Sequence, residues 1–427
     1  MLQLLLTVLP LALSEAQQSR VEGDPAVERY LVEKDKAART RILTEIKGTP
    51  AEVERQLRTP PKRPAVDARG QIVKKKLKTD HALAVEFEYV LWVPKDYAPD
   101  KSWRLLVSLH GLNGNGEAYI NTWLGDIQRE GNTFLLCPTA GRGAWGHSTL
   151  GYHYILDSLH DVIATYAIDR DQVFLDGYSM GGMGAFQFAC VYPDLFAGVA
   201  PRAGGPQFRS MPVGSDKKEQ VVVAEWLENL LATPLYWVMG VRDHKTPNAY
   251  VKIAKGQLDA LQTDLTFKEF PDGGHEWFPQ ENGPVLAWIL TKRRDAYPLR
   301  VGIETNDRTF HRNFWLEISE FKGKEQMKRN YMDFDMKSIE ERPAYVEHTH
   351  VKGEILQESN EIKITVSGAR ELKVYLHEKM LDLTKPVTIN VNGSKSRFDV
   401  KPSLETLMES ARRDRGLLYT SSVKVRP

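Results

Sequence analysis

The chain is predicted to be an α/β protein, with a mostly parallel sheet covered by helices on both faces and a smaller, β-sandwich-like unit after it. Three observations carry this expectation. Between residues 82 and 296, short apolar runs alternate with longer segments of helical period, as strands and helices do around a parallel sheet. Beyond Arg300 that alternation stops, and period-two patterns with tight-turn signals replace it. In between, the stretch VFLDGYSMGGMG at 173–184 runs an apolar strand straight into a serine flanked by glycines.

With 427 residues the chain exceeds a typical domain, and a prior of roughly 150 residues per domain suggests two or three. Its 57 basic and 56 acidic side chains leave a net charge of +1, so no global field recommends nucleic acid or an acidic membrane as partner. Residues 2–13 are apolar and lead into Ser14-Glu15-Ala16, small residues at the positions a signal peptidase reads. Residues 1–16 therefore read as a signal peptide of a secreted or periplasmic protein, although the segment lacks the usual N-terminal Lys or Arg. No later apolar run is long enough for an integral membrane segment. Cys137 and Cys190 both sit in apolar sequence and read as buried free thiols.

Residues 17–64 read as a helical arm and linker. Asp24-Pro25 and Thr49-Pro50-Ala51-Glu52 each set a capping residue before a proline, the second as a capping box, which predicts two short helices separated at Gly48. The proline-rich run at 59–64 then ends helical structure. The catalytic unit is expected over 65–297, with strands at 86–93, 105–109, 134–137, 173–175, 198–200, 235–239 and 266–270. Ile155, Leu156, Leu159, Val162, Ile163 and Tyr166 recur at helical spacing and predict a helix that delivers the chain to the strand at 173. The basic run Lys74, Lys75, Lys76 and Lys78 reads as a solvated sheet edge. A helix is expected at 220–231, too short for a large lid, which leaves a fairly open cleft. The β-rich unit covers 298–427, with half-buried antiparallel strands around Ile362, Leu372 and Val387, a hairpin at Asn392-Gly393 and one late helix after Pro402-Ser403.

In Gly177-Tyr178-Ser179-Met180-Gly181 the glycines stand where a β-carbon would crowd a strand-to-helix turn, and Ser179 is the expected nucleophile. A serine hydroxyl needs a base to remove its proton and an acid to hold that base. Asp243 follows the apolar strand at 235–239, and His275 follows the strand at 266–270 through Gly273-Gly274. Ser, Asp, His is the chain order of an α/β hydrolase triad. Asp272 and Asp264 are the alternative acids, and His244 is the competing imidazole. The oxyanion hole is expected from the backbone N–H of Met180 and a second from the turn His110-Gly111-Leu112-Asn113-Gly114, with Leu112 preferred over Gly111. Trp145, Trp277 and Trp226 are candidates to line the cleft, with core packing the competing role. No metal is expected: His348 and His350 lie two apart on one side of a predicted strand but lack a partner cluster in sequence. No dinucleotide or phosphate-loop glycine pattern suggests a cofactor.

These residues resemble the secreted α/β hydrolases of the polyhydroxybutyrate-depolymerase, feruloyl-esterase and prolyl-oligopeptidase-like group. The similar segments are LLVSLHGLNGNG, the tryptophan of GRGAWG, AIDRDQVFLDGYSMGGMGAF, YPDLFAGVAPRAG, GVRDHKTP and GGHEWF, spread over 87–290. The region with FHRNFW at 310–315 and VNG at 391–393 is similar to the β domain appended to uncharacterised bacterial members. The resemblance implies a catalytic set of Ser179, Asp243 and His275, and leaves the substrate among esters of sugars, phenolic acids, polyesters and peptides. The expected activity is hydrolysis of a small-molecule or polymer carboxylic ester through an acyl-enzyme. The alternatives are a serine peptidase, disfavoured because no propeller-sized repeat precedes the hydrolase unit, and a binding protein on a hydrolase scaffold.

Overall fold

The computed structural model describes residues 24–59, 63, 67–80, 84–140, 145, 149–213, 219–323, 325–332, 339–345, 348–413 and 416–427. The signal-like segment and most of the proline-rich run lie outside these residues.

The chain enters through three helices, α1 (Pro25–Val32), α2 (Lys36–Glu45) and α3 (Pro50–Arg58). Two were expected before Gly48 and after it. The first divides because Asp35 adopts extended backbone and caps a new helix by accepting from Ala38 N–H. Thr49 and Glu52 form the reciprocal capping box of α3.

The central sheet uses β1 (Ile72–Lys78), β2 (Glu86–Trp92), β3 (Trp103–Leu109), β4 (Thr133–Pro138), β5 (Ile168–Tyr178), β6 (Gly198–Arg202), β9 (Leu235–Gly240) and β10 (Leu265–Phe270), while β7 (Phe208–Val213) and β8 (Glu219–Ala224) form a separate hairpin. Its strand order is β1-β2-β4-β3-β5-β6-β9-β10. Only β2 runs against its neighbours; β4, β3, β5, β6, β9 and β10 are parallel. The connections include α4 (Gly116–Tyr119), α5 (Asn121–Glu130), α6 (Thr149–Thr165), α7 (Met180–Val191), α8 (Asn248–Leu261) and α9 (Asn282–Thr291). Apolar clusters lie on both faces of the sheet, one with Leu105, Val107, Leu159, Leu175 and Phe186, the other with Leu106, Trp123, Phe174 and Ile289. This is the α/β hydrolase arrangement, which brings the carboxyl ends of β5, β9 and β10 to one edge.

The lysine run lies on β1 at the sheet's margin, where Lys74 meets Glu117 at 2.7 Å and Lys75 meets Asp161 at 2.6 Å. Charges on an unpaired edge discourage strand addition. The expected helix at 220–231 is absent. Val221, Val222 and Val223 are β-branched and pair in the β7–β8 hairpin, and only residues from Leu227 to Ala232 coil, as a 3₁₀ turn. Cys137 and Cys190 are buried, free thiols, and burial pushes both well above the ordinary thiol range.

After Ala296 the chain builds a five-stranded sheet, ordered β11-β16-β17-β19-β20, on a four-stranded one, ordered β12-β13-β18-β21. The strands are β11 (Arg300–Thr305), β12 (Arg312–Asn313), β13 (Leu316–Phe321), β16 (Thr349–Leu356), β17 (Glu361–Ser367), β18 (Ala369–Leu376), β19 (Val387–Val391), β20 (Ser394–Phe398) and β21 (Ser421–Val425), with β14 (Glu325–Met332) and β15 (Ile339–Tyr345) paired apart. Trp315, Val351, Ile364, Val374 and Ile389 fill the space between the sheets. One pairing departs from the antiparallel expectation: β17 and β19 are parallel, because β18 between them crosses to the other sheet. Asn392 and Gly393 both take positive φ, 49° and 91°, as a two-residue hairpin requires. The late helix α10 (Leu404–Arg412) is capped by Ser403 and packs through Leu407 and Met408 against Val27, Tyr30, Val53 and Leu57 of the N-terminal helices. The arm thus packs on the last helix of the chain.

Candidate active site

The strand β5 ends at Tyr178, and α7 begins at Met180, so one residue makes the turn. Ser179 takes φ 56° and ψ −118°, a region costly to a side-chain-bearing residue and retained where the surroundings over-determine it. The flanking glycines are required by contact. A β-carbon on Gly177 would stand 2.2 Å from the Gly181 carbonyl oxygen, and one on Gly181 would stand 2.0 Å from that of Leu109. Gly184 is crowded as closely: a β-carbon there would stand 2.2 Å from Trp145 Cβ. The helix therefore sits tight on the sheet with its amino end at the serine.

Ser179 Oγ lies 2.7 Å from His275 Nε2, and His275 Nδ1 lies 2.9 Å from Asp243 Oδ2. Since a carboxylate accepts, the Nδ1–H donates to Asp243, and the Nε2 lone pair faces the serine hydroxyl. The second oxygen of Asp243 accepts from the N–H groups of Lys245 at 2.7 Å and Thr246 at 3.0 Å. With its side chain fully buried, the carboxylate is held in one orientation. The three residues expected from the sequence are thus brought into one hydrogen-bonded line. Asp272 instead pairs with Arg242 in solvent, and Asp264 pairs with Lys292. The ring of His244 is 6.2 Å from that of His275.

The loop after β3 lies against Ser179: a β-carbon on Gly111 would be 3.5 Å from Ser179 Cβ. His110 shapes that loop. Its ring is buried, with Nδ1 2.7 Å from the Gly111 carbonyl and Nε2 accepting from Ala140 N–H at 3.1 Å. Burial lowers its pKa below the ordinary imidazole value, so it serves as a neutral spacer. Met180 N–H opens α7 directly after the serine, where the helix dipole favours developing negative charge.

Three residues escaped the sequence reading. Tyr178 hydroxyl donates to the His275 carbonyl at 2.9 Å, fastening the histidine loop to the elbow. Asp176 and Arg202, both inaccessible to solvent, form an ion pair at 3.2 Å beneath it. Asp176 also accepts from Ser108 and Trp123, each at 2.8 Å, and Arg202 donates to the Phe278 carbonyl at 3.2 Å and to Asn282 Oδ1 at 2.7 Å. The guanidinium lies 4.1 Å from the ring centre of Trp277. The pair ties β5 and β6 to the chain just past His275. The one local signal was a charged residue closing each of two apolar strands.

Beside the serine opens a cleft of ≈ 340 Å³, bordered by Gly111, Leu112, Tyr119, Tyr178 and Trp277. Trp277 therefore lines it, whereas Trp145 does not. Trp145 is wholly buried, with its indole N–H donating to the His110 carbonyl at 2.9 Å, and acts as the wedge between α7 and the β3 loop. Trp226 is likewise core, 3% exposed.

No family model matches the chain. It is similar to a probable feruloyl esterase C of Aspergillus terreus, 26% identical over 28% of this chain and 46% of that protein. It is also similar to a probable feruloyl esterase C of Aspergillus flavus, 27% identical over 47% of this chain and 80% of that one. A poly(3-hydroxyalkanoate) depolymerase C of Paucimonas lemoignei is 32% identical over 24% of this chain and 28% of its own length. The chain thus spans about half of the first relative and most of the second.

Proposed function

We propose that the protein is a serine hydrolase that cleaves a carboxylic ester through an acyl-enzyme on Ser179. The observation that carries this reading is the unbroken hydrogen-bonded line from Ser179 through His275 to Asp243. His275 Nε2 takes the hydroxyl proton as Ser179 Oγ attacks the ester carbonyl, and the resulting imidazolium is stabilised by Asp243. The tetrahedral oxyanion is held by Met180 N–H and an amide of the Gly111-Leu112 segment, each donor worth about 3–4 kcal/mol. Collapse expels the alcohol, which receives the proton from His275. Water, deprotonated by the same nitrogen, then attacks the acyl carbonyl, and release of the acid restores Ser179.

The aromatic and aliphatic border formed by Leu112, Tyr119, Tyr178 and Trp277 suits a flat or apolar acyl group. The ester activities named for the relatives support the same class, with a feruloyl-type phenolic ester the first substrate to test. Purified protein is expected to hydrolyse an aryl ester and methyl ferulate, to leave peptide anilides intact, and to be labelled by a fluorophosphonate only while Ser179 is present. Peptide cleavage without ester turnover would replace the reading by a peptidase, and absence of labelling would remove it. Among the described residues no helix is long and apolar enough to cross a membrane. We read the apolar residues 2–13 as an export signal, and mass spectrometry of the mature chain is expected to find a new N-terminus near residue 17.

A further inference from the structure

His348 and His350 are not alone in the fold. They flank Thr349, where β16 of the five-stranded sheet begins, and β11 pairs with β16 so that Glu304 stands directly opposite His350. Such cross-strand neighbours have β-carbons roughly 4.5–5.5 Å apart. One ligand atom from each of Glu304, His348 and His350 lies within 4.8 Å of the other two. The 3₁₀ turn of the hydrolase unit covers this face, and it and the residues just ahead of it bring two more carboxylates: Glu225 Oε1 is 3.7 Å from His348 Nε2, and Glu228 Oε2 is 3.5 Å from His350 Nδ1. His348 Nδ1 in turn lies 3.9 Å from Glu304 Oε1. The side chains of His348, Glu225 and Glu304 are each less than a tenth exposed.

The 3.9 Å between His348 Nδ1 and Glu304 Oε1 exceeds a hydrogen bond, which peaks near 2.9–3.0 Å for N–H···O. It is nearer the spacing of two ligands on one metal ion, about 3.3 Å for bonds of about 2.0–2.1 Å in a tetrahedron. The donor set is borderline-soft, two imidazoles and a carboxylate, which suits Zn²⁺ and its neighbours better than Ca²⁺ or Mg²⁺. A metal-bound imidazole turns its second nitrogen to a carboxylate, and Glu225 and Glu228 stand at that outer position. Three carboxylates converge there, and Lys352 Nζ lies 2.9 Å from Glu228 Oε1. The frame is also stiff: Asn229 beside Glu228 donates to the Glu304 carbonyl at 3.2 Å and accepts from Glu304 N–H at 2.6 Å.

We propose that Glu304, His348 and His350 bind one divalent transition-metal ion of the Zn²⁺ class, with Glu225 and Glu228 orienting the histidines. The ion would lock the β-rich unit onto the hydrolase unit and takes no part in the chemistry at Ser179. The sequence missed this site because its carboxylates come from strands and turns far from the histidines along the chain.

Full-length protein stripped with a chelator and then dialysed against ZnCl₂ is expected to retain one Zn²⁺ per chain. His350→Ala, Glu304→Gln and the milder His350→Gln should each weaken Zn²⁺ binding at least tenfold, measured against a chromophoric chelator. Thermal unfolding of the parent should rise with added Zn²⁺ while that of the three variants stays put. Circular dichroism and fluorophosphonate labelling of Ser179 identify folded variants, and Co²⁺ should give visible ligand-field bands in the parent alone. Failure of the parent to retain Zn²⁺, or retention with less than tenfold loss in the folded variants, would overturn the proposal.

Discussion

At the scale of single residues the active site is a problem of orientation. Ser179→Ala and His275→Ala are each expected to lower kcat on an activated aryl ester by at least about 10⁴-fold, because the proposed nucleophile and base would act as one unit. Asp243→Asn should cost about 10⁴-fold by presenting the wrong imidazole tautomer. Asp272→Asn removes only a solvent-exposed contact with Arg242, worth at most about 1 kcal/mol, and should leave turnover close to parent. If steady-state kinetics reverse those two aspartates, the acid is misassigned. Tyr178→Phe probes a subtler point. It deletes the hydrogen bond that holds the His275 carbonyl, so kcat should fall about tenfold with little change in unfolding free energy, roughly 1 kcal/mol. Unchanged kcat would mean that the loop is held without this bond.

At the scale of elements, the strands deliver the site and the buried Asp176–Arg202 pair keeps their ends together. A buried ion pair contributes little against an apolar replacement, yet removing one partner strands the other charge. Arg202→Met is therefore expected to destabilise by about 3–5 kcal/mol in urea unfolding, and the double variant with Asp176→Asn by less. A double variant as unstable as the single one would show that the cost lies in lost contacts of the guanidinium with Trp277 and Asn282. The β7–β8 hairpin carries a lesson of the same scale. A helix was expected over 220–231, but three consecutive valines favour a pleated pair, and only Leu227–Ala232 coil, as a single 3₁₀ stretch.

At the scale of the whole molecule, the hydrolase and β-rich units share buried surface. Phe310, from the connection between β11 and β12, inserts among Tyr152, Tyr192 and Trp226, with ring centres 5.6, 5.7 and 6.1 Å away. Gly302 lies so close to the 3₁₀ turn that a β-carbon there would stand 2.4 Å from the Glu228 carbonyl oxygen. A chain cut at Ala296 would expose this apolar seam and is expected to aggregate. Phe310→Ala in the full chain is the gentler probe. It should lower stability by about 3–5 kcal/mol while kcat/KM on a small aryl ester stays within about tenfold of parent. A loss of several orders of magnitude in folded protein would make the β-rich unit part of the active site.

The sequence by itself determined what depends on neighbours along the chain. Gly177 and Gly181 announce the elbow because only a missing β-carbon fits there. Thr49-Pro50-Ala51-Glu52 announces a helix start because its partners are three residues apart. Asp243 and His275 were legible as residues closing apolar strands, since a parallel sheet sends those ends to one edge. Tertiary structure decided whatever depends on distant segments meeting: that Trp145 is a buried wedge while Trp277 borders the cleft, and that Asp176 and Arg202 neutralise each other below the elbow. It likewise decided that His348 and His350 face Glu304, Glu225 and Glu228. Side-chain type and spacing specify a local backbone conformation, but the charge and packing around a residue are set by the elements that the fold places against it.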